Sequence, residues 1–378
     1  MLRKPTRLQR RSLRLSQRFI RRPLSSTLVL KSTIGKELIR ILHAMAGARV
    51  GGAEEFFSRL LPALAQTGVS QKAAIRTNGK RERILKDAGI PFEINRFGGI
   101  FDWTTRRRLK RQADEYAPDV IFAWMSRAAK FCTPGKYLII GRLGGYYDLK
   151  YYNKCDHLVA NTEHICQYIA GLGWPESQIH YLPNFVDGTP GEAIDRSMMN
   201  TPSDAPLLLA LGRLHSNKAF DVLLEALVSV PRAYLWIAGE GPEQLALKNL
   251  ARQLGISDRV KFLGWRSDTN NLLASCDLLV CSSRVEPLGN VVLEAWAQKK
   301  PVVATEATGP KALIQTGLNG LLTPLNNASA LSTSIQSVLS SEEHATALAE
   351  QGFRTYDKNF TEERVTSLYR NFFTVVTR

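Results

Sequence analysis

The chain has no apolar stretch long enough to span a bilayer, so a transmembrane helix is not expected. Its five cysteines (Cys132, Cys155, Cys166, Cys276, Cys281) are odd in number and lack C-x-x-C spacing. That argues against a disulfide or zinc framework and for reduced, buried thiols in a cytoplasmic protein. No G-x-x-x-x-G-K-[ST] occurs, which excludes a P-loop nucleotidase. The absence of D-x-D and H-E-x-x-H removes the commonest carboxylate-metal and zincin signatures, and no metal or cofactor is expected. Acidic residues are missing from the first 36 positions, which hold eleven Lys or Arg, while the remaining chain carries 39 basic and 34 acidic residues. The net charge of +16 therefore belongs largely to this extension, and nucleic acid is not expected as a partner. The extension also lacks a sustained apolar core and a small-residue cleavage site, so it is not read as a secretory signal. It reads as a membrane-surface segment, an unstructured extension or a transit peptide.

What is present is length and alternation. The 378 residues suffice for two cores, and 44% hydrophobic with 22% charged content is ordinary for a globular protein. A first series begins with a strand over 38–45, a glycine turn over 47–52 and apolar residues at helical spacing from Ala53. Further strands are predicted over 72–76, 120–124, 137–140 and 157–160. A polar stretch over 188–205 follows, and a second series runs through strands at 207–211, 234–238, 260–263, 276–281, 301–304 and 320–322. We expect an α/β protein with a basic extension (1–36) and two doubly wound parallel-sheet domains (37–187 and 188–359). A last helix over 360–378 is expected against the first domain.

Chemistry concentrates near the end of the second series. Glu286 falls on the loop after the strand 276–281, and Glu294 falls in the helix that begins near Val291. Between them, the amides near Gly289 and Asn290 are expected to face outward as an anion site. Arg213 and Lys218 share one loop after the strand 207–211, two cations placed to meet a diphosphate. Gly239-Glu240-Gly241-Pro242 makes a tight turn but not the full dinucleotide fingerprint. Together these groups suit a nucleotide-sugar. A second basic cluster, Arg106 to Arg111, lies beside Phe101 and Trp103 and suits an anionic lipid surface or a solvated helix face.

From residue 37 to the end, the ordered set Gly51-Gly52-Ala53-Glu54, Pro183-Asn184-Phe185-Val186-Asp187, Gly212-Arg213 with Lys218, Gly239-Glu240-Gly241-Pro242, Glu286…Glu294, Gly309-Pro310 and Asn319-Gly320 resembles the family-4 retaining glycosyltransferases of the GT-B fold. The resemblance implies two Rossmann-like domains facing a cleft. Arg213 and Lys218 would then grip the donor diphosphate, with Glu294 on the ribose, Glu286 on the donor sugar and the Gly51-Gly52 loop near the phosphates. It implies retaining, metal-independent hexosyl transfer from a nucleotide-diphosphate sugar to a cell-envelope glycan or lipid-linked acceptor, and the basic extension with the 106–111 cluster adds an expected place at the cytoplasmic membrane face. A sucrose- or glycogen-type synthase or an epimerase on the same fold is the alternative within the class. A non-catalytic basic binding module is the alternative outside it. The chain departs from the pattern where many members carry a first-domain histidine. No His lies between His43 and His157, His43 reads as a core residue, and Arg142 or Tyr146 is left for the vacant role. Ala219 and Phe185 replace usual glycines, and Ala312 stands where Glu is common.

Overall fold

The computed structural model describes residues 38–48, 51–99 and 102–378; the basic extension with its membrane-surface reading, part of the first glycine turn, and Phe101 lie outside the described residues. The first half forms a sheet of β1 (Arg40–Met45), β2 (Ser70–Ile75), β3 (Phe92–Ile94), β4 (Val120–Trp124), β5 (Leu138–Leu143), β6 (His157–Ala160) and β7 (Ile179–Tyr181), in the order β3-β2-β1-β4-β5-β6-β7. The second half forms a sheet of β8 (Leu207–Leu211), β9 (Tyr234–Ala238), β10 (Val260–Gly264), β11 (Leu278–Cys281), β12 (Val302–Thr305) and β13 (Leu321–Thr323), in the order β10-β9-β8-β11-β12-β13. Every pairing in both sheets is parallel. Helices cover both faces, which is why the central strands read as continuous apolar runs rather than alternating ones. The sequence did not suggest β3 and β7: each is a three-residue edge strand.

The strand order reverses between β1 and β4 in one sheet and between β8 and β11 in the other. Open parallel sheets bind ligands beyond the carboxyl ends of the strands at such a point. The chain passes from one core to the other between Phe185, packed with the first, and Val186, packed with the second. It returns at its end: Val365, Tyr369, Phe372 and Phe373 of the helix Glu362–Val376 join the first core with Phe56, Phe57 and Phe122. All five cysteines are buried and unpaired. No helix among the described residues is long and apolar enough to cross a membrane.

Candidate active site

In the second half, two loops leave neighbouring strands at the reversal point. The first follows β8 and carries Arg213 and Lys218. It is held against the loop after β9 by paired backbone bonds, Gly212 N–H to Ala238 O at 3.0 Å and Leu214 N–H to Glu240 O at 2.9 Å. A β-carbon on Gly239 would lie 1.9 Å from the Gly212 carbonyl, and Gly239 has φ of +149°, so only glycine lets the loops meet. Gly241 packs in the same way against the Leu214 carbonyl, behind Arg213. Arg213 is exposed, with no ion pair or hydrogen bond from its side chain among the described residues.

The second loop follows β11 and carries Glu286. Backbone bonds from Arg284 and Val285 to Asn217 O, at 2.8 and 3.1 Å, stitch it to the first loop. Arg284 adds a fork onto Asp221 at 2.9 and 2.6 Å and reaches Ser216 O at 2.9 Å. The result is an ion pair between Lys218 Nζ and Glu286 Oε2, both sides largely sheltered. Burial works to lower the Lys218 amine, but Glu286 outweighs it and the amine sits above its ordinary value. Behind Glu286, the Gly309 N–H bonds its carbonyl at 2.7 Å, which gives the Gly309-Pro310 step its place.

Glu294 lies one turn into the helix Asn290–Ala297, half-buried, and its carboxylate makes no hydrogen bond or ion pair among the described residues. Burial pushes its carboxyl up to about 7, against the pull of Arg59 from the first half and Lys218. Gly289 departs from expectation. Its N–H donates to Glu286 Oε1 at 3.2 Å, so the amides left for a ligand at this helix start are those of Asn290 and Val291.

The first half presents a matching helix start. The helix Gly52–Ala65 begins at Gly51, and like Asn290–Ala297 it has no side-chain cap. Glu54 folds back beneath its turn: Oε1 accepts from Ala48 N–H at 2.7 Å, and Oε2 would lie 2.4 Å from a β-carbon on Gly51. Gly52 faces the second half so closely that a β-carbon on it would sit 3.5 Å from Asn290 Nδ2. Two uncapped helix starts thus meet across the cleft, where Glu286 brings its partner Lys218, and aligned amides with a cation can hold a diphosphate. The linker joins them: Asn184 donates to Asn290 Oδ1 at 3.4 Å and accepts from Arg142 Nη2 at 2.5 Å.

A cavity of about 260 Å³ lies at this junction, lined by Arg142, Asn161 and Tyr147 from the first half and by Glu286 and Asn290 from the second. Of the two candidates for the vacant histidine role, Arg142 lines it; Tyr146 instead bonds His164 at 2.8 Å. His43 is fully buried, bonded to Gln71 and Trp124, and burial holds its imidazole down at about 3, so it is a neutral core residue. Asn161 and Arg59 carried no sequence signal, being single polar residues in unremarkable surroundings. A wider opening of about 690 Å³ runs between Arg76 and Lys80 on one side and Trp265, 56% exposed, on the other.

This geometry has relatives. Residues 50–189 match the family model described as Glycosyltransferase Family 4, and residues 193–355 match the model described as Glycosyl transferases group 1. The lipopolysaccharide core biosynthesis glycosyltransferase LpsE of Rhizobium meliloti (strain 1021) is 38% identical over 334 residues, 88% of this chain and 98% of that one. The chain belongs to the group 1 glycosyltransferases. LpsD of the same organism, also a lipopolysaccharide core biosynthesis glycosyltransferase, is 32% identical to this glycosyltransferase over 89% of its length and 98% of its own. Among solved structures, Anabaena Alr3699/HepE in complex with UDP-glucose superposes with a TM-score of 0.79 at 21% identity, over 89% of this glycosyltransferase and all of that chain. WaaG, a glycosyltransferase involved in lipopolysaccharide biosynthesis, does so at 0.65 and 18%, over 88% and 99% of the two chains. These likenesses place the glycosyltransferase in the GT-B fold.

Proposed function

We propose that the enzyme is a retaining hexosyltransferase that moves a sugar from a nucleotide diphosphate to a glycan of the lipopolysaccharide core type, without an essential divalent metal. The observation that carries this is Glu286, paired with Lys218 and lining the junction where two uncapped helix starts meet, with the unpaired Arg213 on the Lys218 loop. Lys218, Arg213 and the first-turn amides stabilise the charge that builds on the departing β-phosphate. Glu294, with no partner of its own, accepts the ribose hydroxyls, and Glu286 meets the donor sugar. The acceptor hydroxyl attacks from the face the phosphate leaves, and its proton passes to that phosphate. The names of LpsE and LpsD support the acceptor class, and the UDP and UDP-glucose held by the Anabaena neighbour support a uridine donor. A glycolipid acceptor suits a protein bound peripherally at the cytoplasmic membrane face, where the exposed Trp103 beside Arg106, Arg107 and Arg108 offers an aromatic and basic surface.

The direct test is turnover of UDP-, GDP- and ADP-sugars on a lipopolysaccharide core acceptor, with the product anomer read by NMR. An α-linked donor should give an α-linked product, and EDTA should leave the rate intact. Lys218→Ala should lower kcat by roughly 10²–10³-fold, the size of losing one charge-stabilising donor. An unchanged rate in that variant would remove the site assignment.

A further inference from the structure

Arg142, fully buried at the end of β5, has only part of its guanidinium satisfied. Nε donates to Tyr369 Oη at 3.2 Å and Nη2 to Asn184 Oδ1 at 2.5 Å. Its Cζ lies 4.8 Å from the ring centres of both Phe56 and Trp124. Nη1 has no hydrogen-bond partner, and no ion pair engages the group among the described residues. Taking a charge out of water costs several kcal/mol unless a counter-charge meets it. Neutral oxygens satisfy N–H groups without cancelling that charge.

Asn161, 4% exposed, stands beside it, and its Oδ1 also has no partner. The two flank Gly144, where a β-carbon would lie 3.7 Å from Arg142 Nη1 and 3.8 Å from Asn161 Nδ2. Both line the 260 Å³ cavity at the junction of the halves. That space equals on the order of nine waters, one sugar ring rather than two. Two carboxylates also line it, Glu54 holding the Ala48 amide and Glu286 paired with Lys218, and neither hydrogen-bonds Arg142 or Asn161. The cavity therefore offers a buried cation and an amide with no protein carboxylate committed to them.

We propose that this cavity is a subsite for the carboxylate of an acidic sugar, with Arg142 Nη1 and Asn161 Nδ2 donating to it. Asn161 Oδ1 accepts a hydroxyl of the same ring. The inference rests on the nucleotide-sugar reading only in taking the cavity as a sugar site. The carboxylate has two sources, a uronic acid on the donor nucleotide or an acidic sugar at the end of the acceptor.

Isothermal titration of the full chain separates them. One arm compares UDP-glucuronate with UDP-glucose; the other compares methyl glucuronide with methyl glucoside at saturating UDP. The acid should bind about tenfold or more tightly than its neutral partner in one arm, as a charge-assisted pair requires. A preference in the first arm assigns the subsite to the donor, and one in the second arm assigns it to the acceptor. Gly144→Ala takes up the space against Nη1, and Asn161→Asp supplies the missing carboxylate from the protein itself. Each should erase the preference while UDP still binds, and Asn161→Asp should raise the melting temperature. Equal affinity for acid and neutral sugars in both arms, or a preference that survives Asn161→Asp, overturns the proposal. Loss of UDP binding in the unaltered protein would instead remove the nucleotide-sugar reading. The glucuronide comparison repeated without UDP would still decide this one.

Discussion

With its carboxyl held up at about 7 by burial, Glu294 is largely protonated below that pH and becomes a two-oxygen acceptor only above it. An ionised carboxylate accepts both hydroxyls of a vicinal pair; a carboxylic acid spends one oxygen on its own proton. Nucleotide affinity should accordingly weaken as pH falls from 8 to 6. Glu294→Gln should bind roughly 10–100-fold more weakly at pH 8, the worth of hydrogen bonds to a charged group, and should keep only the shallower pH slope of the UDP phosphate itself. Titration of UDP at several pH values reads both effects. The buried histidine gives a separate signal in stability. The unfolded chain protonates His43 below its ordinary value of 6.5, whereas the folded chain resists until about 3. Its stabilising contribution is thus complete above pH 6.5 and lost as pH falls, by about 1.4 kcal/mol per unit. Glu294, raised to about 7, acts with the opposite sign over the same window, so the readout is a comparison: the denaturation midpoint of a His43→Gln variant should lose less, or gain more, than that of the unaltered chain between pH 7 and 5.

Between residue and domain, the proposed function depends on two loops acting as one element. Lys218 sits where Glu286 can meet it because Arg284 forks onto Asp221 and the backbones of 284–285 bond Asn217. Arg284 outweighs the effect of burial and holds the Asp221 carboxyl below its usual range, so the fork persists at neutral pH. Asp221→Ala should cost only about 1 kcal/mol of stability, because the pair is partly exposed. It should lower kcat about tenfold or more by loosening the loop that carries Lys218, as thermal melts and steady-state rates on one preparation would show. The sequence made the principal strands legible through their apolar runs, and the cleft's second-half residues through their motif spacing. Phe92–Ile94 and Ile179–Tyr181 escaped because three-residue edges are too short to show a period. The state of Arg142 escaped for another reason. Its partners Asn184 and Tyr369 lie 42 and 227 residues away, and an orphaned guanidinium nitrogen is visible only once they are in place.

At the scale of the whole molecule, the chain crosses between halves twice, so its last helix stabilises the half in which the fold begins. Phe373, fully buried on that helix, meets the Phe122 ring of β4 edge-on with centres 5.3 Å apart. Truncating it to alanine should cost about 3–5 kcal/mol, as for other buried aromatics. The two halves have separate cores, so the loss should be local. Hydrogen exchange should accelerate in β1, β4 and the helix Gly52–Ala65, all packed with that ring cluster, while β8, β9 and β11 keep their protection. Tyr369 shares the helix and holds both Arg142 Nε and, at 3.5 Å, the Leu182 carbonyl at the start of the linker. The same substitution should therefore loosen the first-half wall of the cleft and weaken acceptor use more than UDP binding. Equal acceleration of exchange in both sheets would show that the halves unfold as one unit and that the terminal helix is not specific to the first.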